Sequence, residues 1–282
     1  MIKNNNISSK KIIKEVENQG YIIIKNYLEH KRCNKLKNEI ILLKNKLIKN
    51  KFFKDEGSSK GQFILRDLVL RNPKIFLDVI SDNFILKILG LIFKDKFILD
   101  NIMASDSLNV KSKYSRKVHI DSQLPVKGID FTTDIVVMIC LDDFTELNGA
   151  TKIWPTSHKS GIRIHHNPDK IKNKIKKFKY LKAPSGSIAI ILGQTWHQVG
   201  KNKSSDTRMS IFLHYKRWWM KPSTDFTKCG KGIFKLLNNK QKELFGFNSL
   251  PPKFDFKKKI KKVHTLRRIS KVSENYSKSL QY

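Results

Sequence analysis

The residues of this chain best suited to chemistry are His119 and Asp121, held in the short stretch His119-Ile-Asp121. On an extended strand, side chains one residue apart point to the same face, so an imidazole and a carboxylate are presented together. That pair suits a divalent metal that takes nitrogen and oxygen ligands. His197, in Thr195-Trp-His-Gln-Val199, supplies a third ligand from a distant part of the chain. Two histidines and one carboxylate on one side of a metal form the facial triad of non-haem Fe(II) oxygenases, with the remaining positions open. Arg208 follows His197 eleven positions on. Its planar guanidinium fork suits a carboxylate held by two parallel hydrogen bonds. A lone His-x-Asp arises often by chance, whereas the set with a second His and a downstream Arg is specific.

The surrounding residues strengthen this pattern. The sequence resembles the phytanoyl-CoA dioxygenase family of Fe(II)/2-oxoglutarate oxygenases in His119-Ile-Asp121, Asn148-Gly-Ala-Thr151, Trp154-Pro-Thr-Ser-His158-Lys159, residues 186–190, and His197 followed by Arg208. Gly20-Tyr-Ile-Ile-Ile-Lys-Asn26 resembles that family's first strand, so the likeness covers roughly residues 10–220. One departure is Pro155-Thr-Ser-His158, where many members have Pro-Gly-Ser-His. The resemblance implies Fe(II) held by His119, Asp121 and His197, with 2-oxoglutarate as co-substrate and dioxygen as oxidant. It also implies succinate and carbon dioxide as co-products, and Arg208 on the distal carboxylate. Ser210 shares the strand face of Arg208 and is either a third hydrogen-bond donor there or an ordinary strand serine, and Thr151 and Trp196 are candidates for the cavity wall. Arg66 and Ser107 fall in regions that help hold the co-substrate in the family. Related halogenating enzymes carry Ala or Gly at the carboxylate position, so Asp121 points to hydroxylation. His158 is expected to shape its loop, and His165, His166 and His214 to be structural or surface residues.

Elements must bring these residues together. Apolar stripes predict helices over residues 8–18, with Ser9 as a cap, and 28–47, with further helices over 74–80 and 83–93. From Phe97 onward short strands bounded by turns take over: 97–108, 118–121, a continuously apolar 134–141, 150–154, 186–192 and 207–216. This pattern argues for a mainly β fold with flanking helices, a closed or double-sheet jelly roll. The family likeness narrows it to the double-stranded β-helix, a cupin-like jelly-roll barrel. Residues 1–220 are read as that oxygenase domain and 221–282 as a basic, partly helical extension packed on or trailing from it. Residues 169–182 read as a helix with Ile171, Ile175, Phe178 and Leu181 on one face. It is either packed with a solvated outer face or a basic lid, which points to an anionic small-molecule substrate.

The chain carries a net charge of +33 from 57 Lys and Arg against 24 Asp and Glu. These positive residues are mostly Lys spread along the chain, without the Arg-plus-aromatic clustering of a nucleic-acid reader. The charge is read as composition, in a sequence rich in Lys, Asn and Ile, and no specific nucleic-acid partner is expected. No stretch of about 18 apolar residues suggests a membrane span. Three widely spaced cysteines, Cys33, Cys140 and Cys229, fit a reducing compartment, and the first residues lack an apolar signal segment. The protein is therefore expected to be cytoplasmic. The leading reading is an Fe(II)- and 2-oxoglutarate-dependent hydroxylase of a small metabolite, lipid or sugar-type substrate. The alternatives are a metal-binding jelly roll that has lost catalysis and serves binding or sensing, and a basic nucleic-acid-binding protein. The complete triad with Arg208 favours the first.

Overall fold

Helix α1 (Ser9–Gln19) begins where the Ser8 hydroxyl accepts from the Lys11 N–H. The cap is thus Ser8, one residue before the serine expected from the sequence. Gly20 ends the helix in the left-handed region (φ +86°), its N–H returning to the Val16 carbonyl. The computed structural model describes residues 7–50, 62–108, 117–122, 124, 127–130, 132–164 and 177–249. Strand β1 (Tyr21–Ile24) follows, then α2 (His30–Lys49), which buries Cys33, Leu36 and Ile40. Strand β2 (Gln62–Arg66) and the short helix α3 (Leu68–Arg71) appear where no element is expected from the sequence. Helix α4 (Pro73–Ile80) starts on its proline, whose missing N–H costs nothing at a first turn. Helix α5 (Asn83–Phe93) is capped by Asp82, which accepts from the Ile85 N–H.

The strands β3 (Phe97–Ser107), β4 (Asp134–Cys140), β7 (Ile188–Leu192) and β9 (Arg208–Arg217) join β1 and β2 in a six-stranded antiparallel sheet of order β1-β7-β4-β9-β3-β2. A smaller sheet has the order β6-β5-β8, from β5 (Lys152–Ile153), β6 (Lys179–Tyr180) and β8 (His197–Gln198). The period of two sorts the large sheet into two faces. Ile135, Val137 and Ile139 of β4 and Met209, Ile211, Leu213 and Tyr215 of β9 enter the main core with α1, α2, α4 and α5. Each such side chain, fully buried, contributes about 1.5–3 kcal/mol of transfer free energy. Met138 and Cys140 face the other way and pack with Ile153, Leu181 and Ala183. Helices therefore cover one face of the large sheet and the small sheet covers the other, in the two-sheet jelly-roll manner expected.

The structure corrects three expected elements. Residues 118–121 form an isolated bridge, His119 to His197, rather than a strand. The strand expected over 150–154 shortens to β5. The end of the helix expected over 169–182 is extended: Lys179–Tyr180 is β6, pairing with Lys152 and Ile153. The earlier part of that segment, His165 and His166, the loop residues 109–116, and the tail from residue 250 lie outside the described residues. Helices α6 (Gly230–Phe234) and α7 (Asn239–Leu244) follow the last strand, and Phe226, Leu237, Leu244, Phe245 and Phe247 join the main core.

Candidate metal centre

The centre is built on the turn between β7 and β8. The Gly193 carbonyl accepts from both the Asp121 and Ser122 N–H groups, at 2.8 and 3.0 Å, and the Gly193 N–H donates to Asp134 O at 2.7 Å. A Cβ at Gly193 would stand 2.7 Å from the Asp134 Cβ, so this close approach needs glycine. The turn thus fixes the backbone of Asp121. Four residues later, His197 and His119 exchange two backbone hydrogen bonds, each 3.0 Å.

These constraints bring His119, Asp121 and His197 together, each half-buried, with one ligand atom apiece all within 4.8 Å of one another. The carboxylate stands between the two rings. His119 Nε2 is 3.9 Å from Asp121 Oδ1 and His197 Nε2 is 3.4 Å from Oδ2. The other ring nitrogens are engaged: His119 Nδ1 donates to the Lys117 carbonyl at 3.1 Å, and His197 Nδ1 to the Thr195 carbonyl at 3.0 Å. A carbonyl only accepts, so in a neutral ring each Nδ1 carries the proton and each Nε2 lone pair faces the carboxylate. This is the tautomer a metal needs, fixed by groups behind the ligands. The donor set and its orientation fit a divalent metal on one face.

A cavity of about 90 Å³ lies between the two sheets at this centre. Its lining includes the triad, Thr151, Ser105, Phe212 and His214. Arg208, Ser210, Phe212 and His214 share one face of β9 through its period of two. Arg208 is almost fully buried, with Nη1 donating to Gly149 O at 2.6 Å and the guanidinium 4.1 Å from the Phe144 ring centroid. Its Nε has no hydrogen-bond partner, and it makes no ion pair among the described residues. Burial lowers its pKa to about 10. A desolvated cation of this kind is suited to an anionic ligand group. Ser210 is buried, with its hydroxyl 3.5 Å from the Ser105 carbonyl.

Other expected residues fall elsewhere. Trp196 does not line the cavity: it packs with Ile120, Trp154 and Ile164, and its Nε1 donates to Ile162 O at 3.3 Å. Adjacent residues alternate across a strand, so the face that His197 gives to the centre is denied to Trp196. Ser107 pairs with Arg208 across β3 and β9, and Arg66 is exposed, its Nη1 3.9 Å from Met103 Sδ. His158 is buried, with Nε2 donating to the Glu17 carbonyl at 2.9 Å, and shapes its loop as expected. His214, read from the sequence as structural or surface, instead lines the cavity. Burial holds its pKa below the usual imidazole value. Its two-residue spacing from Phe212 and Ser210 was the available signal.

The profile of the phytanoyl-CoA dioxygenase family (PhyH) matches residues 16–210, more than half of the chain, from the last turn of α1 to Ser210. The chain belongs to this family. Among curated relatives it is 30% identical over 140 residues to dioxygenase af480 of Aspergillus fumigatus; the match covers 48% of this chain and 44% of that protein. It thus spans less than half the length of that relative. Among solved structures it is similar to the alpha-ketoglutarate-dependent carbocyclase SnoK of nogalamycin biosynthesis, with a TM-score of 0.61 at 14% identity over 75% of this chain and 85% of that one. It is also similar to HygX of Streptomyces hygroscopicus, solved with nickel and 2-oxoglutarate, with a TM-score of 0.60 at 12% identity over 76% and 88%. At these identities the structural likeness shows the fold. The PhyH match and the fold agree on the same jelly-roll core, and the triad sits between its sheets.

Proposed function

We propose that this PhyH-family protein is an Fe(II)- and 2-oxoglutarate-dependent dioxygenase that hydroxylates an unactivated C–H bond of a small-molecule substrate. The observation that carries the reading is the triad with both Nδ1 atoms committed to backbone carbonyls, so that two Nε2 atoms and one carboxylate converge. When bound, iron with 2-oxoglutarate and dioxygen supplies the oxidising power, and succinate and carbon dioxide are released.

The chain's own residues do the rest. His119, Asp121 and His197 hold the metal on one face and leave the cavity side open. Arg208 binds the distal carboxylate of the co-substrate, with its free Nε and a remaining Nη as donors. Thr151, the residue preceding β5, lines the cavity, and Ser210 of the large sheet shares the strand face of Arg208. The apolar lining of Ile64, Met103, Val136, Met138 and Ile191 excludes water from the reacting centre. A retired binding protein has no need of a complete triad together with a buried arginine that has no ion-pair partner among the described residues.

The test is anaerobic titration of the protein with Fe(II) and 2-oxoglutarate, followed by admission of dioxygen. A charge-transfer absorption on mixing, and succinate formed only with both components, are expected. Neither appearing with the protein folded would overturn the reading.

A further inference from the structure

Asn101 and His214 face each other across β3 and β9, at the irregularity where the strand register shifts between Leu99 and Asn101. Asn101 Nδ2 donates to Asp100 Oδ2 at 2.9 Å. Asp100 is itself paired with Lys216 (2.7 Å) and accepts from the backbone N–H and hydroxyl of Ser223. A carboxylate in that setting only accepts, so the orientation of the Asn101 amide is fixed and Oδ1 is the atom left over. Oδ1 is shielded from solvent and has no hydrogen-bond partner among the described residues, and the same is true of His214 Nε2. An unmet buried polar atom costs about 1–3 kcal/mol. His214 lines the cavity beside the metal ligands, and Asn101 shares the cavity face of β3 with Met103 and Ser105.

We propose that Asn101 and His214 form a subsite for a hydroxyl group of the prime substrate, which would therefore be an alcohol, such as a polyol, a sugar or a hydroxylated lipid. A hydroxyl carries both the proton that Asn101 Oδ1 lacks and the lone pair that a His214 Nε2–H lacks. A carboxylate or phosphate brings no proton for Oδ1 and meets the negative charge of Asp121, which lines the same cavity. An ammonium meets Lys216 Nζ, which already neutralises Asp100. The cavity of about 90 Å³ is far below the ~300 Å³ at the lower end of sites that enclose a whole ligand. It accepts the hydroxyl-bearing fragment and the carbon to be oxidised, while the rest of the substrate stays outside. This inference rests on the oxygenase reading for the placement of the reacting carbon, but the hydroxyl subsite is a property of the chain alone.

The probe is glycerol, titrated by ligand-observed saturation-transfer NMR into the full chain, both metal-free and with zinc(II) and 2-oxoglutarate. Saturable binding is expected in both, weakened about 10-fold or more by His214→Phe and by Asn101→Leu, the scale of one lost hydrogen bond. His214→Gln keeps a hydrogen-bonding side chain and is expected to stay within about 3-fold of wild type, which separates loss of the subsite from loss of fold. In the zinc(II) and 2-oxoglutarate form, where Arg208 is occupied, propionate and propylamine are expected not to saturate. Glycerol binding that never saturates, affinity unchanged in both disruptive variants, or preferential binding of propionate or propylamine to that form overturns the subsite. Absence of the Fe(II) charge-transfer absorption sinks the oxygenase reading instead, and the metal-free titration still decides the subsite.

Discussion

His119 and His197 are each other's backbone partners: the N–H of each donates to the carbonyl of the other at 3.0 Å, and their rings stand 4.2 Å apart. The two ligands are therefore set in place by main chain, before any metal arrives. Asp121, two residues beyond His119, inherits its position from the same bridge and from Gly193.

Because the backbone rather than the carboxylate sets this geometry, Asp121→Ala should leave the fold intact. Asp121 is half-buried, and its side chain serves none of the core clusters. The thermal midpoint is expected within a few degrees of wild type. Iron affinity should fall by more than ~100-fold, beyond what loss of a supporting group alone costs, and iron-dependent succinate formation should disappear. Iron titration and a succinate assay on the same preparation check this, and undiminished turnover would remove Asp121 from the ligand set.

Arg208 makes an opposite separation of stability from function. It is a buried cation whose partners among the described residues are one carbonyl and one aromatic face. Replacing a desolvated charge with an apolar side chain of similar length is often neutral or stabilising. Arg208→Met is thus expected to keep its thermal midpoint while raising the 2-oxoglutarate requirement about 10- to 100-fold, the worth of charge-assisted hydrogen bonds. A direct readout is the upward shift of the melting temperature by 2-oxoglutarate, present in wild type and lost in the variant. An equal shift in both would refute the assignment.

These two residues also show what can be read from sequence. Strands with an unbroken pattern were legible: β4 is apolar at nearly every position because both its faces are buried, and β9 shows its alternation from Arg208 to Lys216. The triad was legible because residue type and spacing carry the chemistry. Strand β2 escaped because Phe63-Ile-Leu65 is too short an apolar run to assign by periodicity. The helix expected to run to residue 182 failed at its end for a related reason. Phe178 and Leu181 fit a helical face, but pairing with Lys152 and Ile153 favours the extended form. Trp196, a candidate for the cavity wall, packs outside it because it takes the face opposite to its neighbour His197. His214 was misread because its neighbours in space, Asn101 and Asp121, are far away in the chain.

His158 makes folding acid-sensitive. Its ring is buried and neutral, donating from Nε2 to Glu17 O, and burial holds its pKa below the usual 6.5. The folded state then binds fewer protons than the unfolded state between the two values. Stability is present in full above about pH 6.5 and is lost as the pH falls through that window. His214 is shifted in the same direction, so His158→Gln should remove only part of the slope. Melting temperatures measured from pH 8 to pH 5 should fall less steeply for His158→Gln than for wild type. Parallel curves would show that His158 contributes nothing to the acid response.

Gly20 links the folding of α1 to the metal centre. It sits at φ +86°, and a Cβ there would lie 2.5 Å from Thr195 Oγ1 and 2.6 Å from His158 Nδ1. Its carbonyl accepts from the Thr195 hydroxyl at 2.9 Å and from the Leu192 N–H at 2.9 Å. Thr195 in turn offers the carbonyl that holds His197 Nδ1. Gly20→Ala therefore combines left-handed backbone strain with a clash against two groups fixed by their own hydrogen bonds, at a cost of about 1–3 kcal/mol. For a chain of this size each kcal/mol lowers the melting temperature by roughly 2–4 °C. The strain is relieved most readily by moving Thr195, which releases the His197 ring from its tautomer-setting contact. Gly20→Ala should thus lose iron affinity as well as stability, although it lies far from the metal in sequence. Iron titration well below the variant's melting temperature separates the two effects, and wild-type affinity in a destabilised Gly20→Ala would break the proposed link through Thr195.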